Sequence, residues 1–274
     1  MATFRSVNTA INFNNINLNW YIQNYFDEFF ENNTYSSVNG TRYEDTYVIN
    51  GYDGVYDLYF AYGGSNFAVS NNNVTGTVKI IAEVESTYSQ GWFLSGISVS
   101  ASLIFAAAIT SSTADDFLLL ARAMKGNDTL YLSNSSDLAY GFLGNDIIYG
   151  YGGTDYIIGG AGSDTLIGGN GHDYYYFDAN LGASNVDKIT ASSQDFFVLD
   201  NDIFTKFSMY DSFDNISSSN YVVGRKALDS NDYLIYNPLN DTIYYDADGS
   251  GKGIMIAFCK TSDTPRYDDF LIIG

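Results

Sequence analysis

Residues 123–176 divide without gaps into six blocks of nine: AMKGNDTLY, LSNSSDLAY, GFLGNDIIY, GYGGTDYII, GGAGSDTLI and GGNGHDYYY. Every block has aspartate in its sixth place, at Asp128, Asp137, Asp146, Asp155, Asp164 and Asp173. Five of the six have glycine in the fourth place and the last four have it in the first. The eighth place is Leu130, Ala139, Ile148, Ile157, Leu166 and Tyr175. A fixed period of this kind specifies a solenoid, because one block cannot bury its apolar place alone whereas stacked copies can. Aspartate in the same place six times argues against ordinary metal-free Gly-Asp turns, which do not demand that residue at every repeat.

Each residue type in the block answers a chemical need. Glycine permits the positive φ values of a tight turn whose backbone oxygens face one centre, and a Cβ opposes them. Aspartate sets a carboxylate at the end of that turn on a short stem. Calcium takes about six to eight oxygens at about 2.3–2.6 Å, and one turn of carbonyls plus one carboxylate supplies roughly half of them. A neighbouring turn has to supply the rest. The acidic composition is skewed the same way: Glu occurs only at Glu28, Glu31, Glu44, Glu83 and Glu85, and every other carboxylate is Asp. That short side chain is favoured in turns and hard-cation sites.

The nonapeptide resembles G-G-x-G-x-D-x-U-x, the calcium-binding repeat of the RTX (repeats-in-toxin), hemolysin-type proteins. The resemblance implies an all-β chain with a parallel β-roll. Each nonapeptide is then a turn plus a short strand, two complete one coil, and each ion sits between turns of the same edge. Asp128, Asp146 and Asp164 would line one edge, and Asp137, Asp155 and Asp173 the other. In the family pattern the earlier turn gives the carbonyls of places two and four with its Asp, and the later turn those of places one and three with its Asp. Carried onto this chain, one site joins Gly126 and Asp128 to Gly141, Leu143 and Asp146. A second joins Gly144 and Asp146 to Gly159, Ala161 and Asp164, and a third joins Gly153 and Asp155 to Gly168, Asn170 and Asp173. The fourth, through Ser133, Ser135 and Asp137 to Gly150, Gly152 and Asp155, departs from the pattern because LSNSSD lacks all its glycines. A fifth, incomplete shell at Gly160, Gly162 and Asp164 could be closed by a later carboxylate such as Asp187. Calcium is thus the implied cofactor, at about four to five ions.

Two carboxylates about 5 Å apart repel by ~3 kcal/mol at an effective dielectric near 20, and the roll stacks several such pairs. Metal is therefore expected to be a folding requirement. The strand places flanking the inward eighth residue should be polar in a free-standing roll, yet one sheet would display Leu138, Tyr140, Tyr156, Ile158, Tyr174 and Tyr176. The other would display Thr129, Tyr131, Ile147, Tyr149, Thr165 and Ile167. An apolar face of that size should be covered, either by flanking segments of the chain or by a neighbouring copy. His172, in the fifth place of the last turn, is expected to face solvent.

The 274 residues, 46% of them hydrophobic, can bury a substantial core. A formal charge of −20 repels phosphate backbones and anionic lipid, so nucleic acid is not an expected partner. One cysteine, Cys259, excludes an intrachain disulfide framework, and one histidine excludes any site needing two imidazoles. The longest apolar run, residues 103–109, is far short of the ~20 residues of a membrane-spanning helix. Residues 1–10 show no basic segment followed by an apolar one, so no cleaved Sec-type signal is expected.

Three segments are expected: a β-rich, sandwich-like domain over residues 1–122, the roll over 123–176 and a β-cap over 177–274. In the first, Thr77-Val-Lys-Ile-Ile-Ala-Glu-Val-Glu85 reads as a strand, residues 71–76 as the hairpin turn before it, and residues 95–109 as one or two strands. Residues 20–30 and 114–124 show helical spacing. The last segment resembles the region that follows RTX repeats, through Val186-Asp-Lys-Ile-Thr190, Phe197-Val-Leu-Asp-Asn-Asp-Ile-Phe204, Asn231-Asp-Tyr-Leu-Ile-Tyr236 and Thr242-Ile-Tyr-Tyr-Asp-Ala-Asp-Gly-Ser-Gly251. Within it, Asp246-Ala-Asp-Gly-Ser-Gly251 reads as a β-turn rather than an EF-hand loop, because Ala257 stands where loop place twelve needs Glu.

Asp268-Asp-Phe-Leu-Ile-Ile-Gly274 resembles the acidic-then-aliphatic ends of proteins exported by type I secretion. The resemblance implies that export machinery as a partner and a secreted, extracellular or cell-surface location in a Gram-negative bacterium. Residues 1–122 contain no H-E-x-x-H, no G-x-S-x-G and no histidine, so metalloprotease and triad-lipase chemistry are excluded there. Two functions are expected from different classes: a non-enzymatic, self-assembling subunit of a layer, matrix or filament, or an adhesin whose first domain binds a cell-surface ligand. The first needs only calcium to assemble, and the second stays monomeric until it meets its ligand.

Overall fold

The computed structural model describes eight strands between residues 3 and 100, then residues 113–208 and 213–274. The chain forms two compact units, Met1–Tyr131 and Leu132–Gly274. In the first lie β1 (Thr3–Ser6), β2 (Tyr25–Glu31), β3 (Ser36–Val38), β4 (Thr41–Tyr43), β5 (Asp45–Tyr52), β6 (Asp57–Ser70), β7 (Asn73–Glu85), β8 (Trp92–Ser100), helix α1 (Thr113–Ala123) and β9 (Thr129–Tyr131). The strands make one sheet in the order β9-β1-β8-β7-β6-β5-β2, antiparallel except where β1 meets β9, with β3 and β4 as a separate hairpin. A sandwich-like unit would need a second large layer, and none occurs among the described residues.

Several local expectations change here. Residues 25–30, read as the second half of a helix, belong to strand β2, in register with β5 through Glu28↔Ile49 and Phe30↔Tyr47. An aromatic-rich run this short satisfies both periodicities, and pairing along a neighbouring strand decides between them. Residues 20–24 lie outside the described residues. The expected strand from Thr77 is the body of β7, but β6 and β7 already pair at Ser70↔Asn73, which shortens the turn expected at residues 71–76. Strand β8 occupies the start of the 95–109 segment, and residues 101–109 lie outside the described residues. The second helical segment is α1, with Arg122 in its last turn, where a cation offsets the negative end of the helix dipole.

The second unit holds β10 (Leu138–Tyr140), β11 (Ile147–Tyr149), β12 (Tyr156–Ile158), β13 (Thr165–Ile167), β14 (Tyr174–Phe177), β15 (Asp187–Thr190), β16 (Phe196–Asp200), β17 (Asp214–Asn215), β18 (Tyr221–Val223), β19 (Leu234–Asn237), β20 (Thr242–Tyr245), β21 (Ile256–Thr261) and β22 (Phe270–Ile273). Alternate strands stack in parallel: β10, β12, β14 and β16 in one sheet, β11, β13 and β15 in the other. This is a parallel β-roll. Its axis is filled by the eighth-place residues Ala139, Ile148, Ile157, Leu166 and Tyr175, each at 0% exposure. Ile189 and Phe197, two residues after Asp187 and Asp195, continue the same buried columns.

A solenoid has to hide its last core layer, and residues 178–274 do so with further β-structure. One sheet of the roll continues through β21, β20, β19 and β18, and the other through β22 and β17. The cap core is aromatic: Phe258 meets Phe177 and Phe204 edge-on at 5.0 Å, Phe204 meets Tyr245 at 5.1 Å, and Phe197 stacks on Phe270 at 5.1 Å. Cys259 is buried there as a free thiol.

The turns tolerate no Cβ at their crossing points. One added at Gly162, where φ is +143°, would lie 1.8 Å from the Gly144 carbonyl oxygen. We expect Gly162→Ala to cost about 2–4 kcal/mol of stability. Gly224→Ala, whose Cβ would approach nothing closer than the Lys226 carbonyl oxygen at 3.9 Å, should leave the melting temperature unchanged.

Candidate metal centre

The sixth-place aspartates form two ladders along the edges of the roll. Asp137, Asp155, Asp173 and Asp195 stack on one edge: the Asp137 N–H donates to Asp155 Oδ1 at 2.9 Å, Asp155 N–H to Asp173 Oδ1 at 3.0 Å, and Asp173 N–H to Asp195 Oδ1 at 3.1 Å. Asp146, Asp164 and Asp187 stack on the other, with Asp146 N–H to Asp164 Oδ1 at 2.7 Å and Asp164 N–H to Asp187 Oδ1 at 3.0 Å. All seven are buried. One carboxylate oxygen thus ties each rung to the rung before it.

The second oxygen differs. Oδ2 of Asp155, Asp164 and Asp173 is buried with no hydrogen-bond partner. An anion left this way is costly to bury unless a cation or proton meets it. The glycines beside these atoms show what the turns leave open. A Cβ on Gly150 would lie 2.3 Å from the Gly168 carbonyl oxygen and 2.5 Å from Asp155 Oδ2, and one on Gly141 would lie 2.6 Å from both the Gly159 carbonyl oxygen and Asp146 Oδ2. Carboxylate and carbonyl oxygens of successive rungs therefore crowd one spot beside Gly141 and beside Gly150. Among the described residues no three His, Cys, Asp or Glu side chains gather as a metal cluster, so a cation here would take backbone oxygens beside a pair of aspartates. This donor set is all oxygen and suits calcium.

The structure brings Gly144 and Asp146 to Gly159, Ala161 and Asp164: Leu143 bridges Ala161, and Gly144 N–H donates to the Ala161 carbonyl at 2.9 Å. Gly153 and Asp155 meet Gly168, Asn170 and Asp173 in the same way, with Gly153 N–H to the Asn170 carbonyl at 3.0 Å. Gly160 packs on the Phe142 carbonyl, and Gly162 on that of Gly144. Gly126, at φ +123°, and buried Asp128 belong to the first unit. His172 is exposed, with Nδ1 3.1 Å from the Gln194 carbonyl oxygen. The loop at 246–251 is a succession of turns, Gly249 N–H reaching the Asp246 carbonyl and Gly251 N–H that of Asp248.

The glycine-free block closes itself. Ser133 N–H and Oγ–H both donate to Asp137 Oδ2 at 2.8 Å, supplying protons where the glycine-bearing turns leave an oxygen bare. Gly152 still faces this block, with Asn134 Oδ1 near its Cβ position, and Gly153 packs on the Ser135 carbonyl, while Gly150 lies against Gly168 and Asp155. Asp195 is closed similarly by Ser192 N–H at 2.7 Å. Sequence reasoning missed Asp195 because it follows Asp173 by 22 residues rather than 18; the signal was an aspartate two places before the apolar Phe197. It also left unnamed Phe142 and Tyr151, the place-two residues, which adopt φ near +70° and accept Ala161 N–H and Asn170 N–H at 2.9 Å.

A family model described as the RTX calcium-binding nonapeptide repeat (4 copies) matches residues 122–157 and 149–180. Residues 122–180 are RTX calcium-binding repeats. Among solved structures, the chain is similar to the AlgE6R3 subunit of the Azotobacter vinelandii mannuronan C5-epimerase, at 24% identity over 46% of this chain and 67% of that one, with a TM-score of 0.28. No curated protein matches. The RTX repeats bind calcium, and the bare Oδ2 atoms are where this chain's residues fit it.

Burial, opposed by the ladder hydrogen bonds and reinforced by repulsion from Asp137 and Asp173, pushes the Asp155 carboxyl from 3.8 up to about 8. Burial likewise pushes Asp164 up to about 6 and Asp187 up to about 8. A folded-state value raised above the unfolded one means the metal-free fold binds protons more tightly than the open chain. That stabilisation is complete in acid and is lost as pH rises from about 4 to about 8. In chelator the protein should therefore melt higher near pH 5.5 than near pH 8, and calcium should abolish the difference. Ser133→Ala removes one of two donors to a buried carboxylate and should lower stability by about 1–3 kcal/mol in a calcium melt.

Proposed function

We propose that this is a non-enzymatic extracellular RTX protein that folds on calcium outside the cell and assembles with copies of itself into a layer, matrix or filament. The observation that carries the calcium switch is the set of buried, unpartnered Oδ2 atoms at Asp155, Asp164 and Asp173. Calcium bound only by the folded roll stabilises it in proportion to RT ln(1 + [Ca]/Kd), so the chain stays open where calcium is scarce and closes where it is about millimolar. That order of events suits export of an unfolded chain by type I secretion. The apolar segment Phe270–Ile273, strand β22 with Phe270 and Ile272 fully buried, would be readable only before folding.

Self-contact is supported by one column of the β10-β12-β14-β16 sheet. Tyr156 stacks on Tyr174 at 5.0 Å and Tyr174 on Phe196 at 5.1 Å, with planes 6° and 18° apart, and Tyr156 is exposed. Leu138 is half-buried at the head of the column. The parallel column Tyr140, Ile158 and Tyr176 is less open: Ile158 is buried, and burial pushes the Tyr176 hydroxyl up to about 12. The adhesin reading is the alternative outcome, in which the first unit meets a cell-surface ligand. Among the described residues no helix is long and apolar enough to cross a membrane.

Light scattering and negative-stain imaging decide between them. Adding about millimolar calcium to chelated protein should convert an expanded monomer into regular assemblies, and Tyr156→Asp should leave a compact calcium-bound monomer. A wild-type protein that stays a compact monomer in calcium sinks the assembly reading and turns attention to a ligand of the first unit.

A further inference from the structure

Leu138, Tyr156, Tyr174 and Phe196 are register partners on β10, β12, β14 and β16, so their side chains stand in one column on the outer face of that sheet. The column holds two phenols side by side. The rings of Tyr156 and Tyr174 lie 5.0 Å apart with planes 6° from parallel. The residues that flank this pair carry no hydroxyl: Phe196 stacks on Tyr174 at 5.1 Å, and Leu138 is the register partner of Tyr156 on β10. Tyr156 reaches solvent at 36% exposure, and Tyr174 is half-buried. Two other tyrosine pairs of the roll stand further apart, Tyr149 and Tyr151 at 6.3 Å and Tyr156 and Tyr176 at 6.4 Å, the latter tilted by 42°.

A phenol that gives one electron and its hydroxyl proton to an oxidant becomes a radical spread over the oxygen and the ring carbons ortho and para to it. Two such rings held parallel and adjacent direct their half-filled π orbitals at each other. That is the arrangement from which a carbon–carbon bond closes between ortho carbons.

We propose that Tyr156 and Tyr174 are an oxidative cross-linking site, at which a one-electron oxidant, of the kind a peroxidase supplies, joins the two rings as a dityrosine. Each phenol loses one electron to the oxidant and its hydroxyl proton to solvent. The two ortho carbons bond, and the hydrogen on each of them then passes through solvent to the oxygen of its own ring. Both phenols are restored, the oxidant has taken two electrons in all, and the chain is lighter by two hydrogens. Phe196 and Leu138 form no phenoxyl radical, so coupling within the column is confined to this pair. The bond joins β12 to β14 across one coil, and like a disulfide it closes a loop in the open chain. It would hold two coils in register when calcium leaves; that consequence rests on the calcium reading above, whereas the bond rests on ring geometry alone.

The test exposes the dilute full-length chain, in about millimolar calcium, to a ruthenium tris-bipyridine photo-oxidant with persulfate. A mixture of isotope-labelled and unlabelled chains separates links within a chain from links between chains. Dityrosine fluorescence is expected, with a digest that yields peptides of one chain joined through Tyr156 and Tyr174. The linked protein should melt about 5 °C or more above the unlinked one and keep its β-signal in chelator. Tyr156→Phe and Tyr174→Phe, which keep the rings, should each fold as wild type does but lose the joined peptides and the gain in melting temperature. Folded wild type without this link, or either variant with undiminished fluorescence, overturns the proposal. Links from Tyr156 only to other chains overturn it as well and mark the column as a contact between copies. If the unlinked protein keeps its β-signal in chelator, the calcium reading fails while the link, read from the digest, stands.

Discussion

Burying a carboxylate is tolerable only if both of its oxygens are answered, and the second unit is arranged around that constraint. The roll stacks aspartates on two edges so that each Oδ1 accepts the N–H of the aspartate one coil earlier. This uses a backbone donor that the turn would otherwise leave idle, and it draws the carboxylates into line. The same arrangement gathers like charges in a place water cannot reach. At Asp155 the neighbouring charges are Asp137 and Asp173, both repulsive. Protons or a divalent cation can resolve the conflict, and the proton at Asp155 is lost as pH rises past about 8, where a cation still serves.

The chain answers the second oxygen in two ways, and the choice follows local sequence. Where the turn is glycine-rich, as at Gly150, the backbone lets a carbonyl oxygen of the next rung approach the spot beside Asp155 Oδ2, which has no hydrogen-bond partner. Where serine replaces glycine, at Ser133 and Ser192, the turn donates N–H or O–H to the carboxylate itself. A serine turn answers the second carboxylate oxygen with its own donors, and a glycine turn leaves it to a proton or a cation. Both serine turns lie on the same edge, which starts and ends in hydrogen bonds. The left-handed place-two residues Phe142 and Tyr151 show that the turn geometry is imposed by the stack, since these side chains carry a backbone conformation that glycine adopts freely at Gly160 and Gly169.

The axis of the roll is continuous with the cap. Tyr175 occupies an eighth place that earlier blocks fill with aliphatic residues or alanine, and its hydroxyl spans from Gly168 N–H to the Thr190 carbonyl. It is the point at which a regular interior of small side chains gives way to the aromatic packing of Phe177, Phe197, Phe258 and Phe270. The repeat thereby ends in a layer with rings wide enough to cover it.

The period of nine in the sequence determined a solenoid with a buried apolar column and a recurring aspartate, and the resemblance of that nonapeptide to RTX repeats implied the roll, its alternating sheets and the two aspartate edges. The solenoid follows from local spacing repeated along the chain, which needs no knowledge of distant residues. Tertiary structure alone decided the rest. Asp187 and Asp195 became rungs because β15 and β16 add to the two sheets, although their spacing is 23 and 22 residues and neither turn follows the nonapeptide pattern. Residues 25–31 became a strand because β5 offered an edge to pair with. The exposed and buried columns of the tyrosine face looked alike in sequence, and only packing separated Tyr156 from Ile158. Pairing and burial depend on what the folded chain places alongside a segment, and the segment itself does not carry that information.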